Sequence, residues 1–137
     1  MPAKPRFKLQ APLIREWPRH KAIADLLRLE LGPPGHVSPH GVLWWSCDPA
    51  DYGGSVPGAR MSRGIVAGVP DLFLTYLGAA FLVEVKRDDT ALSDAQRSLA
   101  SAALVSGARF AVVRDPDDML RCLDHWQIPR SRRAVLQ

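Results

Sequence analysis

Apolar residues recur along this chain with two different periods, and the changes of period mark out its elements. Ile23, Leu26, Leu27 and Leu31 fall at helical spacing behind Pro18, a residue that a first helical turn tolerates, until the GPPG stretch at 32–35 stops the run. A helix over about 17–31 is predicted. VLWWSC, residues 42–47, is short, aromatic and flanked by Gly and Asp-Pro, which reads as a strand. PDLFLTYLGAAFLVEVK, residues 70–86, reads as two strands, about 71–77 and 80–86, around a tight turn. Ser93-Asp-Ala-Gln96 has the S-x-x-Q spacing of a capping box and opens a helix that Gly107 ends. RFAVV, residues 109–113, is a fourth strand. Asp115-Pro116 reads as an N-cap followed by proline at the first helical position, and Met119, Leu120 and Leu123 carry that last helix to about Gln127.

The predicted order is therefore α, β, β, β, α, β, α. Both faces of the central strands are apolar, with Leu72, Leu74, Tyr76, Phe81, Val83 and Val85 on one and Phe73, Leu77 and Leu82 on the other. A sheet of that kind needs helices on both sides, so the fold class is α/β (α+β by some schemes), a mixed central sheet flanked by helices. Trp44 and Trp45 alternate across their strand, so only one ring can face the core. The other is expected under a helix, or on a dimer or DNA surface.

Residues 48–69 hold five glycines, two prolines and the arginines Arg60 and Arg63, and they keep neither period for long. A loop of that length inside a compact domain is uncommon and often functional. Its two arginines are placed either to meet phosphate or simply to be solvated.

The hairpin raises a chemical question, because its apolar strands carry Asp71, Glu84 and Lys86. With Gly78-Ala79 as a two-residue turn, Asp71 falls opposite Lys86 and diagonal to Glu84, and period-two alternation sets all three on one face. An unpaired charge on a largely buried sheet is costly, so the group needs compensation. Two carboxylates suit a hard cation: Mg²⁺ prefers oxygen ligands and is commonly held by one or two carboxylates plus substrate phosphate. Lys86 beside it would then serve a water attacking phosphorus. The bland alternative is a Glu84–Lys86 ion pair with Asp71 solvated.

Composition narrows the classes. With 47% hydrophobic and 23% charged residues, the 137-residue chain is expected to be one soluble domain. No apolar run is long enough to span a membrane and the N-terminal stretch lacks a signal peptide's apolar centre, so no membrane partner and a cytoplasmic location are expected. Cys47 and Cys122 lack metal-site spacing and read as small buried side chains, while Pro39 prevents a helix from aligning His36 with His40.

The net charge of +4 is unevenly spread. Lys4, Arg6, Lys8 and Arg15 in residues 1–15, and Arg130, Arg132 and Arg133 in 128–137, stand without any acid, which leaves eleven basic residues against all fourteen acids in 16–127. Three regions follow: a basic arm at 1–15, a domain at 16–127 and a basic tail at 128–137. The ends either hold a polyanion such as DNA through its phosphates or merely solubilise the chain.

Pro70-Asp71, a spacer, then Glu84-Val85-Lys86 resembles the pattern of the PD-(D/E)XK nuclease superfamily, and more closely that of its VRR-NUC (virus-type replication-repair nuclease) domain. Gly68-Val-Pro-Asp71-Leu-Phe, Phe81-Leu-Val-Glu84-Val-Lys86 and Leu92-Ser-Asp-Ala-Gln96 carry the resemblance, which covers about residues 16–120. It implies a restriction-endonuclease-like αβββαβ core. It also implies that Asp71 and Glu84 bind the metal with the Val85 carbonyl, that Lys86 orients or activates the attacking water, and that Glu16 and Gln96 match an acid on the first helix and a glutamine on the helix after the motif. From residue spacing alone, Gln96 lies on its helix's apolar face but is also the capping-box partner of Ser93, and Glu16 keeps the buried-face spacing of Ile23 and Leu27.

The resulting expectation is a Mg²⁺-dependent DNA endonuclease, with Mn²⁺ an acceptable substitute, acting on branched DNA such as a Holliday junction or on duplex. By resemblance to junction resolvases of bacterial or phage type it would work as a homodimer. A non-catalytic DNA-binding or assembly module, and a small-molecule or RNA-directed hydrolase on the same fold, remain alternatives.

Overall fold

The computed structural model describes residues 16–47 and 62–131, with residues 16 and 17 described by backbone alone. Its elements follow the expected order: α1 (Glu16–Leu31), β1 (Leu43–Ser46), β2 (Leu72–Tyr76), β3 (Ala79–Val85), α2 (Asp94–Val105), β4 (Arg109–Val113) and α3 (Pro116–His125). The four strands form one mixed sheet in the order β1-β2-β3-β4, antiparallel except for the parallel pair β3/β4. The result is a mixed α/β architecture of four strands and three helices.

One sheet face carries the core. Trp44, Leu72, Leu74, Phe81, Val83, Val85 and Val113 are buried there against Ile23, Leu27 and Leu31 of α1 and Met119 and Leu123 of α3. Trp44 supplies the ring that alternation requires, and its indole N–H satisfies the carbonyl of Gly32 at 2.9 Å, just past the end of α1. Helix α2 covers the opposite face beside β4, with Ala100 and Ala103 buried. Small residues let it lie close to the sheet.

Local chemistry sets the helix ends. Ser93 and Gln96 form the reciprocal capping box, Gln96 N–H to Ser93 Oγ at 3.2 Å and Ser93 N–H to Gln96 Oε1 at 2.8 Å. Asp115 caps α3 through the Asp118 N–H at 2.8 Å, with Pro116 in the first turn.

Two expectations are corrected. The hairpin turns on Leu77-Gly78, not Gly78-Ala79: Tyr76 pairs with Ala79, and both loop residues have positive φ, 49° and 77°. That is the primed turn whose twist matches the strands. Leucine is a poor occupant, and its side chain is 84% exposed. Leu77→Gly is expected to raise stability by about 1 kcal/mol by removing the left-handed strain of a non-glycine residue; denaturant unfolding reads the shift in midpoint.

The second correction lies at the C-terminal end, where packing continues past Gln127. Ile128 is buried with the core, and Arg130 makes a forked pair with Asp124 at 2.8 and 3.2 Å and reaches the buried Glu30 of α1 at 3.1 Å. Arg130 is a structural cation rather than part of a basic tail. Arg132 and Arg133 lie outside the described residues, as do Lys4, Arg6 and Lys8. The long loop stands as expected over most of its described part. Ser62 has helical backbone, residues 63–71 are turns and irregular chain, and the rest of the segment, Arg60 included, lies outside the described residues.

Candidate functional site

The observed register moves Asp71 relative to the expected one. Leu72 pairs with Val83, so one further step sets Asp71 across from Glu84 rather than Lys86. The shift is by two residues, which preserves side-chain parity, and Asp71, Glu84 and Lys86 still share the face that α2 covers. Lys86 follows the end of β3 but continues its alternation, because its N–H still bonds the Val113 carbonyl at 3.0 Å.

Pro70 explains how Asp71 is seated. The strand position opposite Val85 belongs to Pro70, which has no N–H to give to the Val85 carbonyl. The Val85 N–H instead donates to Asp71 Oδ2 at 2.8 Å, so the carboxylate replaces the next rung of the ladder. In an antiparallel strand a residue's N–H and C=O point to the same side. The Val85 carbonyl therefore faces the strand that carries Asp71.

Glu84 is only 4% exposed. Its Oε1 accepts from Gln96 Nε2 at 2.8 Å, while the other end of the same amide caps α2 through Ser93. The two roles open for Gln96 are thus filled together: the capping box fixes the amide, and the amide fixes the carboxylate. Hydrogen bonding of this kind compensates a buried acid.

Gly68 brings these parts together. It has φ of 84°, and a Cβ there would lie 2.5 Å from the carbonyl carbon and oxygen of Ala95 and 2.8 Å from the Gln96 N. The chain leading to Asp71 therefore lies directly on the first turn of α2. Gly68→Ala is expected to push that turn away while the sheet persists, from backbone clash added to left-handed strain, and to lower at least tenfold the DNA cleavage proposed below. Activity measured beside the thermal midpoint checks it.

Helix α1 is anchored at the same sheet end. Arg19 pairs with Asp88, two residues beyond Lys86, at 3.0 Å and also donates to the Arg114 carbonyl, while His20 Nε2 and Ser46 Oγ lie 3.1 Å apart. Glu16 is within α1, one turn before His20, so its backbone stands at this end too. Among the described residues Lys86 forms no ion pair, so the ordinary Glu84–Lys86 bridge is not made. Arg63 is exposed.

Cys47 is a neighbour that sequence reasoning did not place here. Its N–H donates to the Asp71 carbonyl at 2.7 Å, and burial, with the Asp71 charge adding to it, pushes its thiol pKa up. Cys47 and Cys122 are half-buried rather than buried. The parity of Trp45 in β1 is the signal that sets Cys47 on the face of Asp71.

Comparison with protein-family models, curated proteins and solved structures finds no match for this chain.

The two carboxylates that oppose one another and the Val85 main-chain carbonyl form an all-oxygen set of candidate ligands. Among the described residues no three His, Cys, Asp or Glu side chains cluster as a metal site. A two-carboxylate set suits Mg²⁺, which keeps several waters and takes remaining ligands from a phosphate substrate, and does not suit zinc.

Proposed function

We propose that the protein is a Mg²⁺-dependent phosphodiesterase acting on DNA, an endonuclease of the PD-(D/E)XK type and, within it, VRR-NUC-like. The observation that carries this reading is the placement of Asp71, Glu84 and Lys86 on one end of one sheet face, with Glu84 held by Gln96. The order Pro-Asp, Glu-x-Lys and a downstream glutamine then acquires a physical rationale in each of its parts.

Asp71, Glu84 and the Val85 carbonyl would hold the cation, with Glu16 a further ligand from α1. When bound, Mg²⁺ supplies charge stabilisation for phosphoryl transfer. Gln96 keeps the Glu84 carboxylate in one orientation, and Val85 does the same for Asp71. The Lys86 ammonium orients the attacking water and stabilises negative charge developing on the phosphoryl oxygens. The water oxygen bonds to phosphorus as the ester P–O bond breaks, the water giving up one proton and the departing oxygen taking one.

The DNA is read as branched or duplex and the active form as a homodimer, since paired cuts across a two-fold junction need two sites from one small chain. Exposed Arg63 and the basic ends supply phosphate contacts in this scheme. No helix among the described residues is long and apolar enough to cross a membrane. Labelled linear, flap and four-way-junction DNA incubated with Mg²⁺, Mn²⁺ or EDTA tests the proposal. Cleavage that requires the cation is expected. DNA binding without cleavage would instead mark a binding module.

A further inference from the structure

Among the described residues, the face that carries Asp71 and Glu84 is only partly covered. On it, two residues back along each strand, Trp45 of β1 and Phe73 of β2 pair across the ladder, with ring centroids 4.5 Å apart and planes 26° from parallel. Trp45 is 36% exposed and Phe73 half-buried. Helix α2 packs on β4, and among the described elements none packs over β1 and β2 on this side. The expected helix above the second tryptophan is therefore absent from the described residues, and the ring lies on a neighbouring aromatic instead.

We propose that the Trp45–Phe73 stack is a platform for an unpaired nucleobase of the substrate, one nucleotide from the phosphate that a cation at Asp71 and Glu84 would hold. This rests on the nuclease reading above and extends it to a substrate class: DNA with a single-stranded or frayed segment at the cut.

Four observations favour a base over other occupants. The stack leaves the outer face of the Trp45 ring to receive a base, and every base has a π-face to lay on it. It is continuous with the site, since Trp45 and Cys47 alternate onto the same face and the Cys47 N–H bonds the Asp71 carbonyl. Its distance from the carboxylates is two residues of strand, about 7 Å, within the reach of one nucleotide. Lys86, on the same face and without an ion-pair partner among the described residues, favours an anionic chain along this path.

The test is binding of short labelled oligothymidylate and of blunt duplex in EDTA, where no metal-dependent cleavage intervenes, by the wild type, Trp45→Ala and Trp45→Phe. Circular dichroism and thermal midpoint establish that each variant folds. Trp45→Ala is expected to weaken oligothymidylate binding about tenfold, the usual order for one lost stacking contact, with its salt slope and duplex affinity unchanged. Trp45→Phe is expected to restore most of it. Unchanged oligothymidylate affinity, or equal loss on both DNAs, overturns the platform, as does a change of oligomeric state in Trp45→Ala on gel filtration, which would make this face an interface between copies. Cleavage in Mg²⁺ is scored separately: a protein that stacks oligothymidylate on Trp45 yet cuts nothing retains the platform and loses the nuclease reading. One that cuts flap DNA with no dependence on Trp45 does the reverse.

Discussion

Replacing either carboxylate is expected to abolish cleavage, and Glu84→Gln and Asp71→Asn are the substitutions that isolate charge from architecture. Glutamine at 84 keeps an oxygen to accept from Gln96, and asparagine at 71 keeps one for the Val85 N–H, so both hydrogen bonds at this sheet end survive. What is lost is a negative charge toward the cation. Two facing carboxylates repel one another without metal, so removing one charge should leave stability unchanged or slightly higher. Asp71→Ala is a poorer probe, because it strands the Val85 N–H and costs about 1–3 kcal/mol of folding free energy in its own right. Rates in saturating Mg²⁺ beside denaturant midpoints separate the effects: a fall in rate of at least a thousandfold at unchanged midpoint is the expected outcome, and near-normal turnover by either variant removes the metal role of that residue.

Lys86→Ala tests mechanism. If the ammonium acts on the attacking water or on transition-state charge, its loss lowers the single-turnover rate by orders of magnitude while Mg²⁺ affinity stays level or rises. The sign follows from Coulomb's law, because a cation on the same sheet face repels a second cation, and taking it away cannot weaken metal binding. A purely structural Lys86 would give the opposite pattern, an intact rate with altered stability. Calorimetric Mg²⁺ titration and single-turnover cleavage on the same preparations distinguish the two.

Local signals in the sequence were sufficient wherever a feature is made by neighbours in the chain. The Ser93/Gln96 box, the Asp115-Pro116 start of α3 and the halt of α1 at Gly32 are each set within one helical turn, and each stands as read. The common face of Asp71, Glu84 and Lys86 was legible too, since it depends only on parity, and a register error of two residues leaves parity intact. The register itself was not, because Leu77 is an unlikely residue for positive φ and Gly78-Ala79 offered the more ordinary turn.

Features made by distant partners were hidden. Arg130 reads as one more cation in a basic terminus until Glu30, a hundred residues earlier, is seen buried beneath it. Ile128 belongs to no periodic run. Gly68 stands in a stretch singled out by resemblance, but its reason, the backbone of Ala95 against its Cα, exists only once α2 has folded onto the loop. Trp45 was half-legible: alternation with Trp44 predicted that one ring would miss the core, and nothing local said that Phe73 would lie beneath it.

The most direct test of the central claim, that this sheet end is a metal-dependent phosphodiesterase site, is single-turnover cleavage of a labelled four-way junction by the wild type and Glu84→Gln, each in Mg²⁺ and in EDTA. Strand cutting by the wild type in Mg²⁺ alone is predicted, with no product from the other three reactions. Equal cutting by Glu84→Gln in Mg²⁺, or cutting by the wild type in EDTA, would contradict it.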